Sequence, residues 1–178
     1  MKKRQLIIFA IILVVVVGAS AAFAIFLSQQ SSQNSPQQNG DNSQPTAANK
    51  PPAVKTSDDA DKLAADGDVQ GGVKKLDDAI KTTDNSHDQF IYYSQKATLL
   101  FNDKNYAEAL VAATQAYNLE KTSDSAAFVG QIARAKGDTA MALDYYKKAL
   151  NLIDSSDPYA KNDRQYYQGI VNELEGGK

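Results

Sequence analysis

The residues able to do chemistry in this chain are few and scattered. His87 is the only histidine among 178 residues, and there is no cysteine. A metal centre or a general base needs convergent partners, and no second histidine stands at a ligand-like spacing from His87. Without cysteine the chain has no disulfide framework, thiol nucleophile, thiolate zinc site or lipidated N-terminal cysteine. The acids cluster at Asp58, Asp59 and Asp61 and again at Asp77-Asp78. A calcium loop needs spaced ligands closing on a glutamate after a turn glycine, and that is missing, so these acids read as solvated helix faces and helix starts. Gly71-Gly72 lies within a helical pattern with no strand before it, which does not suit a phosphate loop. The tyrosines, nine in all, could stack on glycan. However, Tyr93, Tyr106, Tyr146 and Tyr166 recur at helical intervals and read as packing residues. The chain is therefore expected not to be an enzyme, and to need no cofactor and no metal.

Without a reacting centre, the information lies in how the chain is divided. It opens with Lys2, Lys3 and Arg4 ahead of an uncharged run of 22 residues, Leu6 to Leu27. As a helix that run would be about 33 Å long, enough for a hydrocarbon core of about 30 Å, whereas a secretory signal's apolar region is only about 7–15 residues. Residues 1–27 thus read as a cytoplasmic basic stub and a transmembrane signal anchor. The C-terminal part would then be extracytoplasmic, periplasmic or extracellular, in a protein crossing the cell membrane once. The competing reading is a cleaved signal, for which Ala22-Phe23-Ala24 has the small-x-small form. Gly18 and Ala22 form a small-xxx-small pair that could pack two anchors together, although such residues are ordinary in these helices.

Residues 28–55 are Ser, Gln, Asn and Pro with almost nothing apolar. Such a segment cannot bury enough surface to offset its ordering entropy and is expected to be a disordered linker with a reach of about 30 Å. Residues 56–178 then hold 14 basic and 20 acidic residues, a net charge of −6. A mildly acidic domain with no basic stripe argues against nucleic acid, whose affinity comes from Lys and Arg neutralising phosphates.

The 56–178 region repeats itself. "KNYAEALVAATQAYNLE" and "GDTAMALDYYKKALNLI" align at a shift of 33 residues, matching Ala109-Leu110 to Ala142-Leu143, Ala116 to Ala149 and Leu119 to Leu152. "GDVQGGVKKLDDAIKTT" is a third copy, 37 residues before the first of these, with Val73 and Ala79 at the matching places. Each copy follows another amphipathic stretch. The second of these puts Phe90, Tyr93, Ala97 and Leu100 on one face, and the third Ala126, Val129, Gly130 and Ala133. Ser86 with Gln89 suggests a capping box, Thr122 or Ser123 can cap the next helix, and "ADGD", "NDKN" and "AKGD" are the turns within pairs. The alanines on these stripes read as close-approach points, with Ala142 set against Gly130.

This period, helix pair and order of small and large residues resemble the tetratricopeptide repeat over about residues 56–156, as three repeats with the first degenerate. The chain departs from the family pattern where Lys121 and Asp154 replace a closing proline, and where Lys96 replaces an apolar residue. The resemblance implies an all-α, helix-turn-helix solenoid of about three repeats. A polar-backed capping helix is expected over 157–175, with Asp157 as cap, Pro158 at the first position, and Tyr159, Tyr166, Ile170 and Leu174 facing inward.

By the same resemblance the first helix of each pair lines a concave face. It would present Ser94, Gln95, Thr98, Phe101 and Asn102, then Phe128, Gln131 and Arg134, with two exposed phenylalanines as anchors for a peptide or protein partner. Asp61 and Asp124 stand where some relatives clamp a C-terminal carboxylate and would repel one. The function this implies is a membrane-tethered protein–protein interaction scaffold. The alternative is a self-associating, homo-oligomeric envelope structural protein, with the anchor as a route to a homodimer. An envelope enzyme or glycan binder lacks a constellation to carry it.

Overall fold

Three turns share one geometry and set the architecture. Gly67, Lys104 and Gly137 all adopt left-handed backbone, with φ of 94°, 61° and 88°. After each, the N–H of the next residue reaches back to a carbonyl five residues earlier: Asp68 to Leu63 (2.8 Å), Asn105 to Leu100 (2.9 Å) and Asp138 to Ala133 (2.8 Å). These bonds satisfy carbonyls left open at a helix end. The side chains of the same three residues then cap the following helix, Asp68 accepting from the Gly71 N–H, Asn105 from Glu108 and Asp138 from Met141. One residue thus closes one helix and starts the next.

In the computed structural model, residues 50–176 are described. Every regular element among them is helical: α1 Pro52–Ala65, α2 Val69–Thr82, α3 Ser86–Asn102, α4 Tyr106–Leu119, α5 Ser123–Lys136, α6 Thr139–Leu152 and α7 Ala160–Gly176. The expected anchor, 1–27, and residues 28–49 of the expected linker lie outside the described residues. The end of that linker needs correction, because Pro52–Lys55 form the first turn of α1. Proline at a first helical position has a pre-set φ and lacks only an N–H that would be unpaired there. Ala53, 1% exposed, secures the turn.

The helices pack most closely in consecutive pairs, α1 with α2, α3 with α4 and α5 with α6. Each pair then leans on the next helix, and α1 also touches α3. Small residues hold the pairs together. Ala60, Ala97 and Gly130 on the first helices and Gly72, Ala109 and Ala142 on the second are all buried. A methyl added at Gly72 would lie 2.7 Å from the Ala60 carbonyl oxygen, so α2 rests on the backbone of α1. The Tyr146 ring lies over Gly130, 3.1 Å from where a methyl would stand.

Two starts differ from expectation. Asn85, not Ser86, caps α3, its side-chain oxygen accepting from the His87 and Asp88 N–H groups. Thr122 caps α5 as expected, in a reciprocal box with Ser125. The last helix begins at Ala160, with Pro158 in the preceding turn, where Asp157 accepts from the Tyr159 N–H at 2.8 Å. Its buried stripe is Ala160, Tyr167, Ile170 and Val171, whereas Tyr159 and Tyr166 are each 62% exposed. Adjacent tyrosines point about 100° apart on a helix, and Tyr167 takes the inward place because its hydroxyl meets Asp124 of α5 at 3.4 Å and its ring meets that of Tyr146.

The turns and the α1–α2 contact make opposite forecasts for two substitutions. Gly72→Ala should cost about 1–3 kcal/mol through overpacking, although alanine is the better helix former by about 1 kcal/mol. Lys104→Gly should add up to about 1 kcal/mol by relieving left-handed backbone. Urea midpoints of the two variants check both signs.

Candidate functional site

The eight residues expected to form the binding face lie on α3 and α5, and the structure divides them. Ser94 and Phe128 are buried, at 8% and 5% exposure. The expectation of two exposed phenylalanine anchors is therefore corrected. Phe128 packs edge-on to Phe101 with ring centroids 6.3 Å apart, and Phe101 packs on Tyr106 at 5.6 Å. A first helix inside the stack is covered by its own partner and by the neighbouring pair, so its apolar stripe is wider than that of a helix with one covered side. Phe101 keeps an exposed edge.

The polar members also have tasks inside the fold. Gln95 donates its amide to the Asp61 carboxylate on α1. The Thr98 hydroxyl donates to the Ser94 carbonyl at 3.0 Å. Arg134 forms a 2.6 Å ion pair with Glu173 of α7. Gln131 is half-buried and Asn102 exposed. The face that α1, α3 and α5 present together is thus a band of amides, with a guanidinium at the α7 end, Asp61 at the other, and the Phe101 edge between.

Asp61 is the one titratable group of this band that is displaced. Partial burial pushes its carboxyl above the usual range, Asp58 adds repulsion, and the Gln95 hydrogen bond opposes both. Asp124, the other acid expected to repel a carboxylate, receives the Tyr167 hydroxyl. Burial raises the Tyr167 phenol and so does the neighbouring Asp124, and burial likewise raises Tyr146.

Several joints between helices escaped sequence reasoning because each joins residues far apart in the chain. His87 Nδ1 lies 2.5 Å from Glu120 Oε1, linking the start of α3 to the end of α4. Lys96, which departs from the repeat pattern, reaches Asp77 of α2 at 2.5 Å and ties the first pair to the second. The adjacent acids Asp77-Asp78 on α2 were the available signal, since a lysine at an inward position needs such a partner.

No protein-family model matches the chain, and no curated protein matches it.

Neutralising Asp61 should stabilise the fold near pH 7. A carboxyl whose folded pKa is raised is protonated more readily folded than unfolded, so its charged form weakens the fold above the raised pKa. Asp61→Asn keeps an acceptor for Gln95 and should raise Tm at pH 7 by on the order of 1–2 °C, the site being only part-buried. The advantage should vanish below about pH 4, where the aspartate is itself protonated. Thermal melts at the two pH values check this.

Proposed function

We propose that the chain is a membrane-tethered, tetratricopeptide-type interaction module that works outside the cytoplasmic membrane and receives a peptide or protein on the face of its first helices. The observation that carries this reading is the threefold helix pair with its repeated turn, which brings successive first helices side by side and aligns their outer residues. Solenoids of this kind offer extended surfaces made from corresponding positions of neighbouring repeats. On this face Asn102, Gln131 and Arg134 supply orienting polar groups and the partly exposed Phe101 one apolar contact, which suits a segment of mixed polarity.

The tether comes from the sequence alone: three basic residues, Lys2, Lys3 and Arg4, before the uncharged run Leu6 to Leu27. No helix of the described residues is long and apolar enough to cross a membrane. The buried phenylalanine reshapes the test of the face. Replacing Phe128 would damage the core rather than the surface, so Asn102 and Gln131 are the positions to use.

A photo-crosslinking residue placed at Asn102 or at Gln131 in the full chain, in its native membranes, should yield the same discrete partner adduct. The same group at Val111, 64% exposed on α4, should yield none. Adducts of equal yield at all three positions, or at Val111 alone, would contradict a first-helix site.

A further inference from the structure

Asp61, at one end of the first-helix face, is a carboxylate without a cation. Its neighbours in the first pair are matched: Asp58 with Lys50 at 2.5 Å, Asp59 with Lys75 at 3.4 Å, and Asp77 with Lys96 at 2.5 Å. Among the described residues, the group that meets Asp61 is the neutral Gln95 amide from α3. Nor does its own helix support the charge. Acids gain from the helix dipole near an N-terminus, whereas Asp61 lies in the C-terminal half of α1.

The surroundings make this carboxylate reachable and yet poorly solvated. Asp61 is open to solvent, while the protein around it raises its carboxyl through desolvation, which the Gln95 hydrogen bond only partly offsets. The charge therefore weakens the fold that carries it, and asparagine would hold Gln95 as well. A group that suits its own fold poorly and faces an open surface points to a ligand. One turn earlier on the same side of α1, the Ser57 hydroxyl is buried, at 7% exposure, and has no hydrogen-bond partner. That stretch of α1 thus holds two polar groups whose bonding capacity the described residues do not meet. There is also room. At the shifts that relate the repeats, Ala64 corresponds to Phe101 and Arg134, so no long side chain from that position of α1 stands beside Asp61.

We propose that the α1 end of this face receives a basic side chain, lysine or arginine, of the partner segment, its cation seated against the Asp61 carboxylate. The inference rests on the peptide-binding reading of the face and adds the partner's charge and where that charge lies. Gln95 donates to Asp61 through its nitrogen, which leaves its amide oxygen as a second acceptor for the same cation. A charged hydrogen bond at a partly desolvated carboxylate favours one sign of ligand and rejects the other. At the far end Arg134 is already held by Glu173 at 2.6 Å, so the charge left for a partner to balance is the negative one at Asp61. The partner segment is thereby oriented, its basic residue towards α1 and its apolar contact at Phe101.

The full-length chain in detergent micelles is screened against short synthetic peptides in which each position in turn is fixed as lysine, arginine, glutamine or glutamate. Bound peptides should require lysine or arginine at one position, with about a tenfold loss of affinity for glutamine there and more for glutamate. Asp61→Asn, expected to be the more stable chain, should bind the same peptides about tenfold more weakly, without the basic preference and with a flatter dependence on salt. Asp61→Lys should turn the preference to glutamate. A basic preference unchanged in Asp61→Asn, or bound peptides with no basic preference, would overturn this inference and leave the peptide-binding face standing. Binding of no peptide in any charge class would overturn the face and the inference together.

Discussion

A methyl group at Gly72 would sit 2.7 Å from the backbone oxygen of Ala60, and much else follows from that approach. The equivalent positions of the later pairs, Ala97 and Ala109, then Gly130 and Ala142, are also small and buried. One turn further along the second helices stand Leu76, Ala113 and Tyr146, each no more than 3% exposed. Here the copies differ in volume. The largest of the three, Tyr146, lies over the smallest first-helix residue, Gly130, whereas Leu76 and Ala113 belong to pairs whose equivalent first-helix residues are Ala60 and Ala97. Interiors are close-packed, so a repeat can vary its residues only if volume lost on one helix is recovered on the other.

That constraint reaches the surface. A pair of closely packed helices still leaves apolar flanks, and the next pair covers them through Phe101 and Phe128, through Lys96 with Asp77, and through Gln95 with Asp61. At the end of the stack α7 takes the covering role. Tyr167 reaches Asp124, Glu173 holds Arg134 and Glu175 holds Lys147 at 2.6 Å. A stack that ends in a helix whose outer stripe carries tyrosines and glycines has closed its own core and left a separate surface.

Much of this was legible in the sequence because helix pairs write themselves as periodic small and apolar residues. All seven helical stretches among the described residues were readable, and so were the turns, since Gly67 and Gly137 announce left-handed backbone. Lys104 does not, and only its place in the repeat reveals the same turn. The candidate face was less legible. Position on a first helix placed Ser94 and Phe128 outward, but how far a neighbouring pair overlaps a helix depends on packing between residues some 30 apart. The choice of Tyr167 over Tyr166 as the buried tyrosine turned on Asp124, another distant partner. Local periodicity identifies a stripe, and tertiary contacts decide its width and its centre.

The central claim is that helix pairs are matched by volume across the close-approach points, and a double-mutant cycle at Gly130 and Tyr146 tests it most directly. Gly130→Ala with Tyr146→Leu recreates in the third pair the combination that Ala60 and Leu76 form in the first. The four chains of the cycle are compared by urea denaturation. Matched packing predicts that Gly130→Ala destabilises the chain that keeps Tyr146. In the Tyr146→Leu background the same change should be neutral or stabilising, with a coupling above about 1 kcal/mol. Additive effects within about 0.5 kcal/mol would show that the glycine and the ring do not constrain one another, and would contradict the account.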